Sequence, residues 1–120
     1  DGIPAWTSES AERGPVFTYA GHCARLDAAY SPGIKRYLLA LGFDHHGGWG
    51  IFDAPEPWGP WSTAFFTTGW DVGDTHSYRL PSRWISADGL TMHLVFSGRK
   101  HGDTDYDAFC VRRMDLRLRR

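Results

Sequence analysis

The 120-residue sequence has no excess of either charge, no long apolar run and almost no cysteine. Lys and Arg total 13 and Asp and Glu total 14, which gives a formal net charge of −1. Domains that bind nucleic acid usually carry a basic excess, so no nucleic-acid partner is expected. No stretch approaches the roughly 18 apolar residues of a membrane-spanning helix, so no membrane partner is expected either.

The two cysteines, Cys23 and Cys110, are too few for a disulfide framework and belong to no CxxC motif. We interpret them as small, buried strand residues, and a disulfide between them remains an open alternative. The 6 histidines are scattered without the spacing of a zinc site. We therefore expect no cofactor.

Aromatic residues, in contrast, are abundant, at 15% of the chain with 6 tryptophans. Aromatic and β-branched side chains favour the half-buried faces of sheets, and tryptophan also suits the faces of sugars. The length is that of one domain. We predict a single all-β domain over residues 1–120, with seven or eight antiparallel strands.

Apolar alternation between turn signals locates these strands. Residues 24–29 are rich in alanine, so a helix is the competing prediction for that segment. Residues 34–43 are apolar enough for a central strand that is covered on both faces. The predicted strands cover residues 16–19, 22–30, 34–43, 49–53, 61–68, 77–85, 91–97 and 106–118.

Proline and glycine predict the connections between the strands. Pro32 followed by Gly33 favours a type II turn, and Asp88 followed by Gly89 favours a hairpin turn. Pro81 lies inside a predicted strand, where it requires an edge position or a bulge.

A proline-rich segment, GIFDAPEPWGPW at residues 50–61, joins two of the predicted strands. Proline fixes φ and lacks a backbone donor, so this segment must be a loop of set shape. Together with YSPGIKRYLL (30–39) and WISADGLTMHLVFSG (84–98), it resembles the repeating parts of bacterial five-bladed β-propellers related to glycosidases. Within that group it resembles a domain-of-unknown-function family, some members of which are endo-D-arabinanases.

The resemblance implies antiparallel four-stranded β-propeller-type blades, about two per chain. The first blade would cover residues 21–68 and the second residues 76–118, with residues 16–19 either completing the second or belonging to a preceding blade. Two blades leave open flanks. We therefore expect one of three arrangements. Copies of the chain form a homo-oligomeric ring, the remainder of a longer propeller covers the flanks, or the chain folds into a compact sandwich or barrel that hides its edges.

Hydrolysis of a glycosidic bond needs two carboxyl groups that flank it. The resemblance implies that catalytic acids lie on innermost strands, and Asp27 is the one acid expected on such a strand in this sequence. It also implies that the family's own catalytic acids belong to earlier blades, which lie outside this sequence. Asp53 and Glu56 are interpreted as a turn-stabilising and a solvated residue. The catalytic residues are therefore unknown, with Asp27 as the sole candidate.

Five residues on the two predicted innermost strands are candidates for binding a sugar or a carboxylate: Arg25, Tyr78, Arg79, Arg83 and Trp84. Long donors and aromatic faces that converge near a propeller axis suit such ligands. The competing interpretation makes Trp84 a core residue and pairs the arginines with neighbouring acids.

Asp103, Asp105 and Asp107 alternate as calcium ligands do. Ala108 stands where a calcium loop needs glycine, so a solvated loop is preferred and no metal is expected.

These features favour a glycosidase-related β module that is not catalytic by itself and binds carbohydrate. The alternatives are part of an active furanoside-degrading glycoside hydrolase, or a purely structural protein.

Overall fold

The computed structural model describes residues 5–20, 23–43, 48–69, 72–100 and 108–118, without the side chains of residues 72–76 and 99–100. This part of the chain contains two short 3-10 helices, Ser10–Glu12 and Ser82–Trp84. It has seven strands: β1 (Cys23–Ser31), β2 (Arg36–Phe43), β3 (Gly48–Ala54), β4 (Ser62–Thr67), β5 (Val72–Arg79), β6 (Thr91–Lys100) and β7 (Ala108–Asp115). The all-β prediction is confirmed, and residues 24–29 are strand rather than helix.

The strands form two antiparallel sheets, each in sequence order. The first sheet is β1-β2-β3-β4 and the second is β5-β6-β7. In the first sheet Leu39 on β2 pairs with Phe52 on β3, and in the second Val95 on β6 pairs with Val111 on β7. Among the described residues no helix is long and apolar enough to cross a membrane.

An apolar core joins the two sheets. The first sheet contributes Leu38, Ala40 and Ile51, and the second contributes Met92 and Leu94; each is at most 1% exposed. Alternation within each strand places these residues on the faces that meet. Burying one large side chain of this kind contributes about 1.5–3 kcal/mol to the hydrophobic driving force, so this interface is the main source of stability.

The far face of the first sheet is covered by other parts of the chain. Leu39, Leu41 and Phe43 of β2 form a second buried cluster on that face, against which Phe17 and Trp61 pack. Strand β2 is therefore buried on both faces, as its continuous apolar sequence predicted.

Residues 16–19, predicted as a strand, form none in the structure, so they do not complete a blade. Instead the ring of Phe17 packs 4.8 Å from that of Phe52, and the ring of Tyr19 lies 4.6 Å from that of Phe43. Both side chains cover the same face of the first sheet. Packing of these rings on the sheet, rather than backbone pairing, holds the segment on this face.

The predicted strand 77–85 is wrong beyond Arg79. Pro81, with φ −60 and ψ 114, precedes the 3-10 helix Ser82–Trp84. A proline cannot donate to a strand ladder, and here the strand ends before it instead of forming a bulge around it.

Two glycine turns meet at one end of the molecule. The Asp88-Gly89 signal does form a turn, closed by the Gly89 N–H donating to the Ser86 carbonyl at 2.8 Å, and Gly89 has φ +74. The type II prediction for Gly33 is wrong, because the positive φ in that turn belongs to Lys35, at 53°. Gly33 is needed for space, since a Cβ there would collide with the backbone of Asp88.

The core between the sheets yields a stability prediction. Leu94→Ala should lower the free energy of unfolding by about 2–5 kcal/mol, because Leu94 is 0% exposed and its loss leaves a cavity. Leu26→Ala is the matched control, because Leu26 is 53% exposed and should change the free energy by less than about 0.5 kcal/mol. Urea unfolding measures both, and equal effects would contradict the face-to-face packing.

Candidate functional site

A groove of 640 Å³ lies beside the outer strand of the first sheet. This volume is within the roughly 300–1,000 Å³ of small-molecule sites. One side of the groove is formed by β2, β3, β4 and the turn before β2, and the other by the end of β7 and the residues that follow it. Its lining residues are Ile34, Arg36, Leu38, Asp53, Ser62, Thr63, Ala64, Phe65, Asp115, Leu116, Arg117 and Leu118.

The polar part of this groove is the ion pair of Arg36 and Asp53, to which Ser62 adds a hydrogen bond. Arg36 Nε donates to Asp53 Oδ2 at 2.7 Å, and Arg36 Nη2 lies 2.6 Å from the same oxygen. The Ser62 hydroxyl donates to the other carboxylate oxygen of Asp53 at 2.9 Å. Three neighbouring strands thus hold one carboxylate, and both charged side chains stay partly exposed, at 32% for Arg36 and 23% for Asp53.

An aromatic ring lies in the same groove. Phe65 on β4 is 46% exposed, and its ring centroid is 5.1 Å from that of Trp49 on β3. Trp49 is itself buried and stacks on Tyr78 of the second sheet, with centroids 6.2 Å apart and planes 11° from parallel. The exposed ring of Phe65 therefore rests on a support that both sheets provide.

The groove residues after β7 are anchored at Leu116. Its N–H donates to the Leu90 carbonyl at 2.7 Å, and its side chain packs against the core between the sheets. Arg117 is exposed and makes no hydrogen bond or ion pair with any residue that the structure describes.

Asp115 carries an ionised carboxylate. The Thr91 hydroxyl donates to its Oδ1 at 2.8 Å, and Arg113 Nη2 donates to the same oxygen at 2.9 Å. The Thr91 hydrogen bond, followed by the contact with Arg113, lowers the pKa of Asp115. At Asp88 the Ser86 hydroxyl, and then the Leu90 N–H, likewise lower the pKa of the carboxyl.

Asp27, the candidate catalytic acid, links the two sheets. Its Oδ2 accepts a hydrogen bond from the Leu80 N–H at 2.8 Å. Strands β1 and β5 contact each other there. Arg79 on β5 donates from Nη1 to the Tyr78 carbonyl at 2.8 Å and reaches the Leu26 carbonyl at 3.5 Å.

The five predicted binding residues do not share one surface. Tyr78 is 3% exposed and belongs to the core between the sheets, whereas Arg25 and Arg79 are exposed on β1 and β5. Arg83 and Trp84 lie on the 3-10 helix rather than on a strand, which corrects their predicted placement. Trp84 is 45% exposed, so it is not a core residue.

The sequence candidates for a metal, Asp103, Asp105 and Asp107, lie outside the described residues. Within the described ranges no group of three or more His, Cys, Asp or Glu side chains could hold a metal ion. Cys23 and Cys110 are both free thiols. Cys110 packs partly buried against the core, but Cys23 is exposed, contrary to its predicted burial, because it begins an edge strand.

No protein family model, no curated protein and no solved structure matches this chain. The resemblance to glycosidase-related propellers therefore stays a prediction, and the geometry of the groove is the basis for a function.

Sequence reasoning missed most of the groove. Arg36, Phe65 and Arg117 were not singled out, and Asp53 was interpreted as a turn residue. The period of two in β3 was a usable signal, because it places Asp53 on the same face as Trp49 and Ile51 of the core. No comparable signal in the sequence places the residues after β7 beside β4.

The Asp115 carboxyl gives a pH prediction. Because its folded pKa is lowered, ionised Asp115 stabilises the fold above the unfolded pKa, and this stabilisation is lost as the pH falls through the folded pKa. NMR titration should give a pKa below the ordinary value of about 3.9. Thr91→Val should raise that pKa toward the ordinary value, whereas the control Thr63→Val should not. An unchanged pKa in Thr91→Val would show that the hydroxyl is not the cause.

Proposed function

We propose that the chain is a carbohydrate-binding β module whose groove holds a sugar without hydrolysing it. The observation that carries the proposal is the half-exposed ring of Phe65 beside the fixed pair of Arg36 and Asp53. Sugar rings present apolar C–H faces, which suit an aromatic ring, and hydroxyl edges, which both donate and accept hydrogen bonds.

The ion pair supports a ligand with hydroxyl groups. Arg36 contacts Asp53 through Nε and Nη2, so its Nη1 group and a remaining Nη2 hydrogen can still donate. Asp53 accepts from Ser62 and Arg36 and keeps free lone pairs on the same carboxylate. One donor and one acceptor, held side by side, match adjacent hydroxyls of a sugar.

The acids of the groove favour binding over hydrolysis. A glycosidase needs a general acid that holds a proton, and enzymes obtain it by raising the pKa of one carboxyl. The pKa of Asp115 is lowered instead. Asp53 is already engaged by the Arg36 guanidinium at 2.6 Å and by the Ser62 hydroxyl.

The decisive test compares two neighbouring phenylalanines of β4. Isothermal calorimetry should detect binding of arabino-, xylo- or galacto-oligosaccharides to the wild-type chain. Phe65→Ala should weaken this binding at least about tenfold, because it removes an aromatic contact of about 1 kcal/mol together with apolar contact area. Phe66→Ala is the control, because its ring contacts Phe43 and Tyr19 on the opposite face, and it should leave affinity unchanged.

Absence of affinity for every sugar, or an equal loss in both variants, would reject the groove as the site. Release of reducing ends from the same oligosaccharides would instead show that the module is an enzyme.

We also propose that copies of the chain associate through the outer face of the second sheet. On β7, Phe109 is 75% exposed and Val111 is 46% exposed, and Val95 on β6 lies beside them. An exposed apolar patch of this kind favours contact with another apolar surface, here that of a second copy.

Sedimentation at micromolar concentration should show species larger than a monomer, and Phe109→Ser should shift them to monomer. Leu26→Ser, at an exposed apolar residue of β1, is the control. A wild-type monomer at every concentration would contradict the association.

A further inference from the structure

We propose that the groove selects an acidic sugar, a uronic acid residue whose carboxylate pairs with Arg117. This inference rests on the proposed carbohydrate binding and names the ligand class of the same groove.

Among the residues that the structure describes, the charges that line the groove leave one cation uncompensated. Four charged residues of this part of the chain line it: Arg36, Asp53, Asp115 and Arg117. Arg36 and Asp53 neutralise each other at 2.6 Å. Asp115 is paired with Arg113, which lies outside the groove lining, at 2.9 Å. Arg117 has no hydrogen-bond or ion-pair partner among the described residues, so its charge is available to a ligand.

Arg117 is placed as a recognition residue. The preceding Leu116 is fixed by its hydrogen bond to the Leu90 carbonyl at 2.7 Å and by its contact with the core, and the following Leu118 also lines the groove. The backbone on which the guanidinium is carried is thus tied to the fold. A planar guanidinium matches a carboxylate with two parallel hydrogen bonds.

The neighbours of Arg117 favour a singly charged ligand. The Arg117 guanidinium compensates one negative charge of a ligand. The second charge of a group such as phosphate would be repelled by the carboxylates of Asp53 and Asp115 in the same groove. A uronic acid carries one negative charge, and the remainder of its ring offers the apolar face for Phe65 and hydroxyls for Arg36.

The test uses methyl galacturonoside, whose ring carries one carboxylate, and its methyl ester, which has the same ring and no charge. Calorimetry on the whole chain at low salt should give at least about tenfold tighter binding of the acid, equal to about 1.4 kcal/mol. Arg117→Gln should abolish this preference while it retains affinity for the ester. Arg13→Gln, which removes the same charge at an exposed position outside the groove lining, should keep the preference.

The outcomes separate this inference from the proposed function. Equal binding of acid and ester by the wild type would overturn the inference and leave carbohydrate binding standing. A preference that survives in Arg117→Gln would also overturn it. Binding of neither ligand, nor of any neutral oligosaccharide, would overturn both. The preference should weaken as salt is raised, since the contact is partly exposed, and a salt-independent preference would contradict an ion pair.

Discussion

Face-to-face packing of the two sheets is the interaction on which the rest of the structure depends. Neither sheet can bury its apolar face alone, and Leu38 of the first sheet and Leu94 of the second are excluded from water by each other's sheet. The Asp27 carboxylate and the Leu80 N–H strengthen the contact with a hydrogen bond between the sheets at 2.8 Å. The groove lies at the border of this packing, between the strands β3 and β4 of the first sheet and the end of β7 in the second.

The aromatic residues show how unevenly the chain covers its surfaces. Phe17 and Trp61 cover the far face of the first sheet, whereas Phe109 on the outer face of the second sheet is 75% exposed. In the groove Phe65 is left half exposed, and its ring packs on the buried ring of Trp49. The proposed binding and the proposed self-association both arise from rings that the fold supports but does not bury.

The candidate site illustrates why residue type alone is a poor guide to function. Tyr78 and Arg79 are adjacent in sequence and were assigned to one binding surface, yet strand alternation sends Tyr78 into the core and leaves Arg79 exposed. Asp27, chosen as an acid near an axis, accepts a backbone hydrogen bond instead. Asp53, interpreted as a turn residue, became the centre of the groove because Arg36 and Ser62 converge on it from the strands on either side.

The sequence by itself determined the all-β class, the four-strand meander of the first sheet and the double-sided burial of β2, because these depend on local alternation and turn residues. It also located the Asp88-Gly89 turn, although not the 3-10 helix before it. Only the tertiary structure decided that residues 16–19 cover a face instead of pairing, and that Asp115–Leu118 lie beside Phe65. Such contacts join segments that lie 24 to 53 residues apart in the sequence. No local pattern specifies them, because they depend on how whole sheets pack.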